Sequence, residues 1–416
     1  MYEEPLKRIA SELGPDKSLL LLGSIVFAIL FIIFGFGGAV DDVCVFYDYS
    51  QKLGAGLPYR DYSLGYPPLS LVIFAIPGLF TNDLYTYSVI FYAITTLFFI
   101  ATLWIMIKIC RLCGYDPKFI CIIFIVICAV YYPQAIRKFD LQTAFFMILA
   151  IWLFLENKVY SAYLFLVIGA MIKIFPIFVL PVFLIFSLKD REKLKKMLIS
   201  TVALIAAVAL LIILATRFIP FSDLLNFVQY STNRNFQQES LIGTISLLIS
   251  DLGGAQSTLI LHDYTYDVQS PLCDALRPVW NYVLLAAMGL IYLILAHLEF
   301  RRPNQDYTYN ERLLVSSFVV MCVFILTYFV FSTQFILWFY TLIPFLVILD
   351  VKNRKRLALL IILVAAISAS IPTFGFYSSV ALARDLLLAM LILFSVSRLA
   401  DIPLKITLNV KKPRAD

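Results

Sequence analysis

The chain has 416 residues, 62% hydrophobic and only 14% charged, with a net charge of +6 and a mean hydropathy of +0.90. A soluble domain carries about 45–50% apolar and about 25% charged residues, so a water-soluble enzyme is excluded: there is too little polar surface to cover this much apolar side chain. The positive charge needs no nucleic-acid partner, because Lys and Arg concentrate beside the apolar runs, as orientation in a lipid bilayer requires.

The first 17 residues mix acids and bases. The apolar run after them, 18–38, is too long for a signal-peptide core and long enough to span, so it predicts an uncleaved first helix. Further spans are expected near 84–110, 118–133, 143–156, 160–172, 174–188, 197–219, 278–300, 312–331, 335–350, 357–372 and 378–400. The run 67–80 is too short to cross and is bounded by Pro67-Pro68 and Pro77-Gly78, which predicts a helix at the membrane interface. The fold class expected is an all-α polytopic membrane protein with about 12 transmembrane helices in a single integral membrane domain, 1–416. Two extracytoplasmic loops, about 39–83 and 218–278, interrupt it, and the second holds a short helix near 241–251. There is no internal repeat.

Charge orients this map. With the N-terminus inside and 67–80 not spanning, 24 of the 33 basic residues fall on the cytoplasmic side, and nine, among them Arg60, Arg137, Lys138, Lys173, Arg234 and Arg384, fall outside. The helices of 143–188 are short, about 20 Å each at about 1.5 Å per residue, against a hydrocarbon core of about 30 Å. Short helices ending in polar residues predict a cavity open to the outer side. Cys44 and Cys273 both fall outside and leave a disulfide open; Cys110-x-x-Cys113 has no second pair, and His262 and His297 lack ligand spacing, so no metal or other cofactor is expected.

Asp41 and Asp42 follow directly on the first helix. A carboxylate at that depth is tolerated only where it faces water, a partner or a cavity. Behind it, Gly56-Leu57-Pro58-Tyr59-Arg60-Asp61-Tyr62-Ser63-Leu64-Gly65-Tyr66-Pro67-Pro68-Leu69 combines turn formers, aromatics and stiff prolines. Proline fixes its own φ and extends the residue before it, so such a loop is preordered and suited to wall a sugar site. An interfacial aromatic belt accounts for the tyrosines but not for the clustered Gly and Pro.

Asp42-x-x-Val45-Phe46, Asp48, Gly56-x-Pro58-Tyr59 and Tyr66-Pro67-Pro68-Leu69 together resemble the first luminal loop of GT-C glycosyltransferases, closest to the polyprenyl-phosphate-mannose-dependent mannosyltransferases. The loop is also similar to that of the enzyme adding the first mannose of GPI anchors. That enzyme has an Asp-x-Asp pair; here Val40 stands at the first Asp and Asp42 at the second, with Asp41 offset by one, so the base is either Asp42 or Asp41. Lys173-x-x-Pro176 after Gly169-Ala170, Gln238-Glu239-Ser240-Leu241-x-Gly243, and Ser332-Thr333-Gln334-Phe335-Ile336-Leu337-Trp338 with Pro344 are similar to further family segments, and Asp140-x-Gln142 stands where the family often has Gly-Gln-x-Asn.

The resemblance implies an inverting transferase that moves a hexose, mannose first, from a polyprenyl-phosphate-linked sugar donor to a hydroxyl of a glycolipid, glycan or protein acceptor. Its site would lie on the extracytoplasmic side of the cell membrane, or of the ER membrane in a eukaryote. It implies Asp42 or Asp41 as the base, and substrate contacts from Asp48, Tyr59, Arg60, Tyr66, Lys138, Lys173, Arg234, Gln238, Gln334 and Trp338. Lys173 lies between two short helices and requires an anionic partner; the donor phosphate would supply it. Arg384 and Asp385, adjacent in the last helix, are expected to pair with other helices. The rival reading is a polytopic transporter or lipid flippase. That class predicts two similar halves with helices broken at matching positions, and the Asp-aromatic-Pro-Pro cluster has no counterpart in the second half.

Overall fold

A computed structural model describes residues 3–39, 42–224, 234–262, 265–301 and 303–401. It is helical almost throughout. The N-terminal helix α1 (Glu3–Phe34) is broken at Gly14, where φ is 73°, so its apolar stretch begins at Gly14 and Pro15. A short helix α2 (Asp42–Lys52) and a second, α3 (Ser70–Gly78), follow. Next come α4 (Leu84–Leu112), α5 (Pro117–Ala135), α6 (Asp140–Leu155), α7 (Val159–Ile172), a 3₁₀ turn leading into α8 (Leu180–Ser187), and α9 (Arg191–Ala215). After the loop come α10 (Leu241–Asp251), the hairpin β1 (Thr258–His262) and β2 (Thr265–Gln269), α11 (Pro271–Arg301), α12 (Tyr309–Thr327), α13 (Arg354–Phe374) and α14 (Ser378–Leu399).

The local reasons are legible at the helix ends. Asp83 accepts the Thr86 N–H, Asp116 that of Lys118 beside Pro117, and Asp190 those of Glu192 and Lys193. Ser240 caps α10, and Thr308 with Glu311 forms a reciprocal capping box on α12. Gly114 (φ 78°) and Asn157 (φ 60°) provide the left-handed residues that turn the chain after α4 and α6.

Among the described residues, eight helices are long and apolar enough to cross a membrane: Gly14–Phe34, Leu84–Leu112, Pro117–Ala135, Arg191–Ala215, Pro271–Arg301, Tyr309–Thr327, Ile343–Pro372 and Ser378–Leu399. Four more, Asp140–Leu155, Val159–Ile172, Phe175–Ser187 and Leu241–Asp251, are apolar but shorter. The count of 12 spans is therefore not reached by length. The segment expected to span at 335–350 is instead two short turns, Thr333–Ile336 and Leu337–Tyr340, followed by the 3₁₀ stretch Ile343–Asn353, which runs on into α13 as the start of the Ile343–Pro372 span. Pro344, which lacks an N–H to donate, stands where a longer helix would need one.

Of the short helices, α6 sits inside the bundle. Aromatic contacts join α6 to its neighbours: Phe145 to Phe98 of α4 at 5.2 Å, Phe146 to Phe165 of α7 at 6.2 Å, and Phe154 stacked on Phe183 of α8 at 4.2 Å between centroids. Phe27, Phe99 and Tyr132 tie α1, α4 and α5 together. By contrast α9 exposes Leu198, Val202, Ile205, Leu210 and Leu211, the surface of a helix that faces acyl chains. Ion pairs form between matching ends of the bundle. Arg111–Asp16, Arg312–Glu299 and Arg398–Asp350 lie among the residues assigned to the inside by charge; Lys138–Asp42, Lys173–Asp140, Arg234–Asp267 and Arg384–Glu239 lie among those assigned to the outside. Cys44 and Cys273 are both free thiols.

Candidate active site

The loop between α2 and α3 is held by its own polar groups. Asp61 accepts the Leu57 N–H at 2.8 Å and pairs with Arg60 at 2.8 Å; these contacts, Arg60 first, hold its carboxyl down to about 2. Gly56 is required there, since a Cβ would stand 2.8 Å from the Asp61 Cβ. Tyr59 takes a positive φ of 69° and donates its hydroxyl to the Tyr66 carbonyl at 2.6 Å; burial pushes its phenol above the usual range. Pro67 and Pro68 then lead to Leu69, whose N–H donates to the Met171 carbonyl at 2.9 Å. The loop is thereby docked on the C-terminal end of α7, two residues before Lys173.

The α5–α6 turn is the centre of the site. It carries Lys138, Phe139 and Asp140 in succession, and each points to a different part of the chain. Lys138 Nζ lies 2.8 Å from Asp42 Oδ2, at the first turn of α2. The Phe139 ring is buried and meets Tyr66 edge-on at 5.0 Å, Phe46 at 5.3 Å and Phe74 at 5.2 Å. Asp140 Oδ1 accepts from Lys173 Nζ at 2.7 Å and from the Trp338 indole N–H at 2.6 Å. The Lys173 ammonium is also roofed by rings, 4.8 Å from the centroid of Phe139, 5.1 Å from Phe335 and 5.6 Å from Trp338. Phe335 and Trp338 stack on each other at 4.0 Å, and Trp338 on Phe175 at 4.2 Å.

Of the residues expected from the sequence, Asp42, Tyr66, Lys173 and Trp338 therefore each reach one residue of the 138–140 turn, which itself supplies Lys138, and Gln334 is half-buried beside Phe335. Others are committed elsewhere. Asp48 pairs with Lys52 on the exposed face of α2, and Arg60 pairs with Asp61. Arg234 is buried against Asp267 of the hairpin at 2.7 Å, an internal ion pair rather than an open cation. Gln238 binds the hairpin through its backbone, its N–H donating to the Tyr266 carbonyl. Asp41 lies outside the described residues.

Two groups were not anticipated as site residues. Asp140 was visible only in a loose Asp-x-Gln match, and an aspartate opening a short helix reads equally well as a helix-end charge. Glu239 lay inside the Gln-Glu-Ser-Leu match without a role. It accepts from Thr333 and, at 3.1 Å, from Arg384, whose side chain is fully buried over the Phe331 ring. Burial pushes the Glu239 carboxyl above its usual range, against the pull of Arg384. The adjacent Gln237 amide donates to Ser332 Oγ at 2.7 Å, so the 237–239 loop and the 332–338 segment form one unit. Arg384 pairs with Glu239 of another element, whereas Asp385, also expected to pair with another helix, is bonded to its neighbour Arg384.

A carboxylate paired with an ammonium, a second ammonium covered by aromatic rings and a proline-stiffened aromatic loop are suited to hold a polyol and an anion together. The described residues contain no group of three or more His, Cys, Asp or Glu placed to hold a metal ion. A sequence model described as glycosyltransferase family 87 matches residues 64–261. The matched stretch includes Tyr66, Lys138, Asp140, Lys173, Arg234, Gln238 and Glu239, and begins after Asp42. No curated protein matches the chain. The match and the eight apolar helices of spanning length together establish the chain as a multi-pass membrane glycosyltransferase, an enzyme that brings a sugar donor and an acceptor together in a membrane.

Proposed function

We propose that the enzyme transfers a hexose, mannose first, from a polyprenyl-phosphate donor to an acceptor hydroxyl on the extracytoplasmic side, with inversion at the anomeric carbon. The observation that carries this reading is that one turn, 138–140, holds Lys138 against Asp42 and Asp140 against Lys173, with the Pro67-Pro68 loop docked two residues before Lys173. Asp42 removes the acceptor proton, the oxygen attacks the anomeric carbon, the bond to the phosphate oxygen breaks and the lipid phosphate leaves. A single displacement inverts the centre. An ordinary aspartate is ionised at neutral pH but weakly basic, so proton transfer counts late, when the attacking oxygen becomes acidic. Lys138 and Lys173 stabilise the charge growing on the phosphate through positions set before reaction. Asp42 is better suited than Asp140 to be the base: its side chain is 27% exposed, whereas that of Asp140 is 1% exposed and already accepts two hydrogen bonds.

The test is incubation of the purified enzyme with a panel of labelled polyprenyl-phosphate sugars and a membrane lipid extract, with product analysis. Transfer from the mannosyl lipid with an inverted anomeric linkage is expected. Transfer from nucleotide sugars alone would overturn the donor assignment, and transfer of another hexose in preference would overturn the sugar.

A further inference from the structure

Lys138 and Lys173 differ in one physical respect. Lys173 is locked: its partner carboxylate is 1% exposed, that carboxylate is also held by Trp338, and three rings surround the ammonium. Lys138 is not. Its own side chain is 14% exposed, as that of Lys173 is, but the carboxylate it reaches from its turn is 27% exposed against 1% for Asp140, so this pair is open to water on its carboxylate side. Its charge is felt by a second carboxylate as well, since Lys138 helps to pull the Glu239 carboxyl down against burial. An ammonium has three donors and no fixed plane, so it can change acceptors by rotating about its stem. Asp42, meanwhile, has one oxygen engaged by that ammonium.

We propose that Lys138 is exchanged between Asp42 and the donor phosphate. Without donor, the ammonium is held by Asp42 and the base is masked. An arriving phosphate anion competes for the same ammonium, takes it from Asp42, and leaves the carboxylate free to accept the acceptor proton. Lys173 stays with Asp140 throughout and marks the fixed side of the phosphate position. Lys138 is thus a positioning residue for the base as well as a contact for the donor, and the base is unmasked only when there is a sugar to transfer. This inference rests on the donor and base assigned above.

Competition for one ammonium has a measurable consequence. Removing the carboxylate charge should tighten binding of the lipid phosphate. The probe is sugar-free polyprenyl phosphate, titrated against wild type, Asp42→Asn, Asp42→Ser, Lys138→Gln and the Asp42→Asn/Lys138→Gln double variant, each first shown folded by its thermal unfolding. Asp42→Asn and Asp42→Ser should bind about 2- to 150-fold tighter than wild type, the range of coupling between residues in direct contact. Lys138→Gln should bind more weakly, and in its background Asp42→Asn should bring no tightening. A purely structural pair predicts instead unchanged or weaker binding in both Asp42 variants, and that result overturns the exchange even if transfer is lost. If wild type itself does not bind polyprenyl phosphate, the donor assignment fails and the exchange with it.

Discussion

The Lys173 ammonium lies 2.7 Å from Asp140 Oδ1, and the side chain of Asp140 is 1% exposed. The same oxygen accepts the Trp338 indole, so one carboxylate ties α6, the end of α7 and the 337–340 turn together. Removing one member of a buried pair strands the other charge, at a cost of about 3–5 kcal/mol. Asp140→Asn should therefore destabilise the enzyme by about that amount in chemical unfolding in detergent. Asp48→Asn, which removes an exposed i,i+4 pair with Lys52, should change stability by at most about 0.5 kcal/mol.

Stability and activity separate in a compensated variant. Replacing the pair together, Asp140→Leu with Lys173→Met, leaves no buried charge unpaired and should recover much of the stability lost in Asp140→Asn. Donor use should stay low, because a charge-assisted contact to the phosphate, worth about 1.5–3 kcal/mol or about 10- to 150-fold, is gone. A donor KM and kcat equal to wild type in the double variant would show that Lys173 has no contact with substrate.

Asp42→Asn keeps shape and a hydrogen-bond acceptor but loses proton-accepting power. Transfer should fall by about 10²–10⁴-fold, the usual worth of a positioned base. Asp41→Asn should cost less. The reverse ranking, read from initial rates of the two purified variants, would move the base to Asp41.

Gly243 packs so closely that a Cβ there would stand 2.2 Å from the Gln237 carbonyl oxygen, a backbone atom with little room to give. Gly243→Ala should shift the loop that carries Glu239 and cost about 1–3 kcal/mol of stability, the usual price of overpacking. An unchanged unfolding midpoint would show that the loop has slack.

Topology is tested at the rim of the site. In a Cys44→Ser background, a cysteine introduced at Ser63 should react with a membrane-impermeant thiol reagent in intact cells. Labelling only after permeabilisation would place the site on the cytoplasmic side.

Helix positions were largely legible in the sequence because their causes are local. The apolar runs, Asp83 and Asp116 before α4 and α5, and Ser240 before α10 each act within a few residues of the element they start. The expected short helix at 241–251 is found as Leu241–Asp251, and the Pro-bounded run at 67–80 contains the short Ser70–Gly78. The irregular turns of 333–353 were less legible: a run this apolar satisfies the hydropathy of a span, and only its packing shows it broken.

The sequence by itself determined that the chain lives in a membrane, roughly where most of its helices lie, and which acidic, basic and aromatic residues were available for chemistry, because hydropathy, caps and turn residues act over short stretches of chain. Only the tertiary structure decided which charge meets which. Lys138 and Asp140 are two positions apart, yet one turns to Asp42 and the other to Lys173 and Trp338, while Arg234 is spent on Asp267. A buried charge must have a partner, but that requirement does not name the partner. The choice is made where charged side chains from distant parts of the chain come within 2.7–2.8 Å of one another, and no local pattern records that distance.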